Sequence, residues 1–176
     1  SLANLQRELN NEAGEQRALR AAEEAFSRRI RDKPHDRQAR ILLAGAQYRL
    51  GKHKASEQTL LTGLKLHNDD DMRRASSDFY LVQLRSMKSS RADRIPEKLD
   101  LLEKAIALDL KNPEVYSEII SFYEQARGSD YAKDIVKQLE AMIVDGQSPA
   151  LAHFALSSIY LIEQDAAKAK LHLEQS

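Results

Sequence analysis

GKHKASEQTLLTGLKL, residues Gly51–Leu66, reads as a turn followed by the second helix of a helical hairpin. Gly51 permits the turn because it lacks the Cβ that penalises left-handed backbone. Beyond it, Ala55, Thr59, Leu60, Gly63, Leu64 and Leu66 recur at helical spacing and predict an inner face. Gly63 gives up about 1 kcal/mol of helix propensity relative to alanine. Its presence inside the run predicts a neighbouring helix at close approach.

Working upstream, Arg40 to Leu50 forms the mate of this helix, with Ile41, Leu42, Ala44 and Tyr48 at helical spacing. KPHD, Lys33 to Asp36, separates it from two earlier helical stretches. One carries Leu2, Leu5 and Leu9; the other, Arg17 to Ile30, carries Ala18, Ala22, Ala25 and Phe26 on one face. Downstream, Asp69, Asp70 and Asp71 stand where side-chain caps and the helix dipole both favour acid. They lack the spaced ligand pattern of a calcium loop. The following helix, from Met72 to about Met87, carries Phe79, Tyr80, Val82 and Leu84. Ser86 to Pro96 is the least periodic stretch of the chain.

The pattern then resumes with Leu99, Leu102, Ala105, Ile106 and Leu108 inward, and with Val115, Ile119, Phe122 and Tyr123 after Pro113. Ala132, Ile135, Val136, Leu139 and Met142 mark a further helix. Ala152, Leu156, Ile159 and Tyr160 mark the next, and Ala166, Ala169 and Leu173 the last. Pro34, Pro113 and Pro149 fall between periodic stretches and Pro96 opens one, all places that tolerate proline. The expectation is all-α, with about ten helices in five antiparallel pairs and no strand. A lone hairpin leaves an apolar face exposed, and the next hairpin covers it.

These residues give the chain a resemblance to the tetratricopeptide (TPR) repeat family, whose unit is 34 residues long. Ala22 to Ser56 and Phe26 to Leu60 are both steps of 34 residues. Gly51 takes the turn glycine. Gly63, Ala105, Ala132 and Ala169 take places the family keeps small, while Leu60 and Tyr160 take larger apolar ones. The match covers nearly the whole chain, with looser spacing downstream. The resemblance implies one right-handed α-solenoid over residues 1–176, with approximate repeats 3–36, 37–69, 70–112, 113–149 and 150–176. The last repeat stops inside a helical pattern without a polar cap, so a fragment of a longer repeat protein is expected.

In that family the first helix of each pair lines a concave surface. Transferred here, the resemblance places Tyr48, Arg49, Arg74, Asp78, Glu114, Glu124, Phe154 and Leu161 on a binding face, with Leu81, Val82 and Glu118 nearby. Tyr48, Phe154 and Leu161 supply apolar anchors, Arg49 and Arg74 hold oxygen atoms, and the glutamates invite a basic segment. The family's carboxylate clamp is imitated only in part, by Arg7 and Asn11, because Leu42 stands where an asparagine belongs. The function implied is a non-enzymatic scaffold for a protein or peptide. The alternatives are a structural or oligomerising segment that self-associates through its ends, and a helical-repeat RNA-binding module.

Composition and motifs agree with a binding role. The 176 residues are 42% hydrophobic and 31% charged, a folded composition. Lysine plus arginine equals aspartate plus glutamate at 27 each, so net charge supplies no bulk attraction to nucleic acid or acidic membrane. The best basic features are Arg28, Arg29, Arg31 and Lys33, and the Arg85 to Arg94 segment. With no cysteine, disulfides, thiolate metal sites and cysteine nucleophiles are excluded. This fits the cytoplasm, and a periplasmic or membrane-tethered full-length protein stays open. No signal-peptide core opens the chain. The five histidines form no metal-binding motif, and P-loop, dinucleotide and nucleophile-elbow patterns are absent. No cofactor, metal or catalytic residue is expected.

Overall fold

The computed structural model describes residues 2–87 and 94–176, with side chains from residue 11 onward. Among the described residues there are nine α-helices and no strand. They are α1 (Leu2–Asp32), α2 (Arg37–Arg49), α3 (His53–Leu66), α4 (Asp70–Ser86), α5 (Ile95–Leu108), α6 (Pro113–Ala126), α7 (Asp130–Val144), α8 (Pro149–Ile162) and α9 (Ala166–Leu173). The chain divides into two compact units, Ser1–Ser76 and Ser77–Ser176.

In the first unit, the two stretches expected as separate helices at the start of the chain are one 31-residue helix. The connection EAGEQR contains no proline, and Gly14 keeps a negative φ among strong helix formers, so nothing stops the helix there. α1 packs on α2 with a face that keeps Ala22 and Phe26 of the four residues expected there and replaces the other two. Leu19 is buried and Ala22, Glu23, Phe26 and Ile30 are half-buried, whereas Ala18 and Ala25 are exposed. Contact with α2 selects the side bearing the larger residues.

α2 begins at Asp36, whose carboxylate accepts from the Ala39 N–H at 2.9 Å. That bond first, and the Arg29 guanidinium second, hold the Asp36 carboxyl below its usual range. Buried Arg40 donates to the Pro34 carbonyl through Nη2 at 2.8 Å and Nε at 3.3 Å, which satisfies its charge inside the turn. The α2–α3 turn follows expectation. Gly51 has φ +76°, its N–H donates to the Tyr48 carbonyl at 2.9 Å, and the Lys52 N–H donates to Gln47 at 2.9 Å. These bonds satisfy carbonyls left open at the end of α2.

The hairpin is closed by the Ser56 hydroxyl, which donates to the Ala44 carbonyl at 2.8 Å, and by buried Leu60. Ala55 and Leu66, expected on the inner face, are exposed. They border the narrow strip Ser56, Leu60, Gly63 that α2 covers. Gly63 does sit at a close approach. A Cβ built there would lie 2.2 Å from Met72 Cε of α4. Asp69 accepts from the Met72 N–H at 3.0 Å, which is the capping role expected of the acidic run.

In the second unit, α6 packs on α5, α7 and α8, and it buries Val115, Tyr116, Ile119, Phe122, Tyr123 and Ala126. Contact between α6 and α8 brings the first helices of successive hairpins together, as a stack of helix pairs requires. Pro96, Pro113 and Pro149 all fall in the first turn of their helices. Small residues sit at the tight contacts. Ala105, Ala132 and Ala169 are buried, and the Ser77 hydroxyl donates to the Ala105 carbonyl at 3.1 Å. Leu81, expected on the binding face, is buried instead. Leu173, expected inward, is 60% exposed, because the side of α9 turned to α8 is the one bearing Ala169 and His172.

Candidate binding face

Apart from buried Leu81, the expected face residues are exposed or half-buried, but their partners change what several of them offer. In the first unit, Tyr48 is half-buried and meets the His53 ring edge-on, with centroids 4.7 Å apart. Arg49 is ion-paired with Glu15 of α1. Arg74 is exposed on α4. Tyr48 and Arg49 thus also brace the first hairpin.

In the second unit, Asp78 accepts from Asn112 Nδ2 at 2.8 Å. Asn112 is buried, and its Oδ1 accepts from the Glu114 N–H at 3.1 Å as the cap of α6. Asp78 is therefore a support that fixes the start of α6 against α4. Glu114 and Glu118 both bind Arg85 of α4, with Arg85 Nε 2.6 Å from Glu118. The Glu118 bond, then the Glu114 bond, push the Arg85 guanidinium above its ordinary value. Arg85 thus bridges two of the three glutamates expected along this face and offsets one of their charges. It organises them, although the sequence grouped this residue with a basic segment.

Three apolar side chains of this unit remain exposed on first helices. Val82 lies on α4, and Phe154 and Leu161 lie on α8, 45% and 64% exposed respectively. Phe154 and Leu161 are seven residues apart, two turns along one side of α8. Half-buried Leu151 and Ile162 flank them, and exposed Ser117 and Glu124 lie on α6. At the far end of α6, Tyr123 Oη donates to Glu163 at 3.1 Å, and Arg127 Nε is 2.8 Å from the same carboxylate. Burial, then the Glu163 bond, raise the Tyr123 phenol above its usual range. This cluster pins the C-terminal end of α8 to α6.

Several basic residues are also paired. Arg29 is 2.5 Å from Asp36, and Arg37 is 2.8 Å from Asp69 and 3.0 Å from Asp71. A shallow groove of about 450 Å³ is lined by Arg28, Arg31 and Lys52 together with Glu23, Glu24 and Ser27, and the Lys52 ammonium is 2.7 Å from Glu23. Lys88 and Arg91, the middle of the other basic segment, lie outside the described residues. So does the side chain of Arg7; Asn11 and Leu42 are exposed. Among the described residues, no group of three or more His, Asp or Glu side chains is arranged to hold a metal ion. No described helix is long and apolar enough to cross a membrane.

The fold is that of an all-α array of helical hairpins. No protein-family model matches the sequence. No curated protein matches it either. Among solved structures, the chain is similar to the crystal structure of MamA, with 14% identity over 89% of this chain and 85% of that one, at a TM-score of 0.48.

Proposed function

We propose that this chain is a non-enzymatic protein-interaction scaffold, an array of helical hairpins following the long α1, whose first helices hold a peptide or helix. The observation that carries this reading is the pair Phe154 and Leu161, exposed on one side of α8. Large apolar side chains left partly in water forgo part of the about 1.5–3 kcal/mol that full burial yields. Such side chains are common anchors of interfaces. α6 packs alongside and carries Ser117 and Glu124, which suit the polar edge of a bound segment. Arg85 bridges Glu114 and Glu118, and the negative charge left over, with exposed Glu124, suits a basic residue beside the apolar anchors. In the first unit, Tyr48, Arg49 and Arg74 hold the corresponding places.

A displayed random-peptide library selected on the full chain, followed by fluorescence polarisation with the enriched peptides, tests this reading. Phe154→Ser with Leu161→Ser should weaken binding at least about tenfold, the loss of two modest anchors. Val144→Ser, at the 85% exposed end of α7, should leave binding unchanged. Peptides that bind the double variant as tightly as the parent would overturn the assignment of the face.

A further inference from the structure

His153 of α8 and His172 of α9 meet through their Nδ1 atoms at 2.9 Å, with ring centroids 5.1 Å apart. His153 is buried and His172 half-buried. Such a contact needs one Nδ1–H donor and one bare Nδ1 acceptor. It therefore has room for a single proton between the rings. A first added proton can go to the outer nitrogen of the donor and leave the bond intact. A second, on the acceptor Nδ1, abolishes the bond and sets two cations face to face.

The rest of the grip on α9 is slight. The helix has eight residues and buries Ala169, while Leu171 and Leu173 are exposed. Tyr160 of α8 stacks on His172 at 5.5 Å, and Lys168 of α9 lies 5.0 Å over the Tyr160 ring. Asp165 caps α9 through the Lys168 N–H at 3.1 Å. A short helix with so little apolar burial opens at low free-energy cost.

We propose that the His153–His172 pair is a proton-operated latch that holds α9 on α8 at neutral pH and releases it on acidification. The surrounding charges do not cancel the effect. Lys168 and Lys170 on α9 itself are paired with Asp165 and Glu174. From α6, Tyr123 and Arg127 are taken up by Glu163. From α7, Glu140 favours the charged form of His172. Burial, followed by the charge of His153, outweighs it and lowers the His172 pKa below its ordinary value.

The sign follows from linkage. A histidine depressed in the folded state binds protons more readily when released. Its contribution to docking is complete above the ordinary value of about 6.5 and is lost as pH falls through the depressed one. Release uncovers the side of α8 bearing His153 and Tyr160, next to the exposed Phe154 and Leu161.

Hydrogen–deuterium exchange on the full chain at pH 7.5 and 5.0, corrected for intrinsic rates, tests the latch. Amides of Ala166–Leu173 should lose protection at least about tenfold relative to those of Pro113–Ala126. His172→Phe keeps the ring stack and should remove the pH dependence. Unchanged protection of α9 at pH 5.0 would overturn the proposal. So would an equal loss in His172→Phe, or a loss shared by α6. Should that variant not fold, imidazole ¹⁵N titration of the parent chain decides. Two linked steps support the latch, and two independent, ordinary midpoints refute it.

Discussion

Helices α1 and α6 show how differently two amphipathic helices of one chain are held. α1 runs for 31 residues, packs on α2, and among its described side chains buries Leu19. α6 runs for 14 residues, packs on α5, α7 and α8, and buries six side chains. A helix with neighbours on several sides removes most of its circumference from water. A helix with a neighbour on one side hides a stripe. Burial here follows both the number of neighbours and the apolar content, which is higher in α6 than in α1. The polar contacts that α1 makes to the following hairpin are exposed ion pairs, such as Lys52 with Glu23 and Arg49 with Glu15, which typically contribute little. Those around α6 include buried Asn112, which cannot lose its partners without leaving a desolvated amide.

The largest test of this contrast pairs two truncations. Phe122→Ala should cost about 3–5 kcal/mol, because the cavity in the middle of α6 cannot close, and Leu19→Ala about 2 kcal/mol or less. Urea denaturation followed by far-ultraviolet circular dichroism measures both, and equal losses would erase the distinction. A second test sharpens the packing inside the first unit. Gly63→Ala should lose about 1 kcal/mol, the helix-propensity gain offsetting only part of the collision with Met72. In a Met72→Ala background the same change should become stabilising, and a double-mutant cycle without that coupling would refute the close approach.

The smallest effect concerns two turns of one design. At the α8–α9 turn, Gln164 occupies the place of Gly51 with φ +61°, and the bonds Gln164 N–H to Leu161 and Asp165 N–H to Tyr160 match those at the first turn. Gly51→Ala should cost about 1 kcal/mol by conformation alone, since a Cβ there meets nothing within 4 Å. Gln164→Gly should gain about 0.5 kcal/mol, the relieved strain less the added chain entropy. Thermal melts of both variants check the opposite signs.

Local chemistry made much of the fold legible. A glycine before a helical run, acids at helix starts, and asparagine or proline between periodic stretches each act within a few residues, and Gly51, Asp36, Asp69 and Asn112 all do what their types suggest. The junction near Gly14 was not legible, because a helix continues wherever no local signal opposes it strongly. Neither was the phase of α1 or the burial of Leu81, since a helix with apolar residues on more than one side is oriented by its neighbours. The charge pattern around Glu114 was not legible. Arg85 and Glu114 are 29 residues apart in the chain. Their pairing depends on how α4 meets α6.

What the order of residues fixed, then, was the helical hairpin and its repetition, because spacing and turn chemistry act over short distances. Packing settled which acids stay available, which leucines face water, and that two histidines 19 positions apart share one proton site. Those outcomes rest on contacts between helices, whose energies depend on distance and burial that no local pattern encodes.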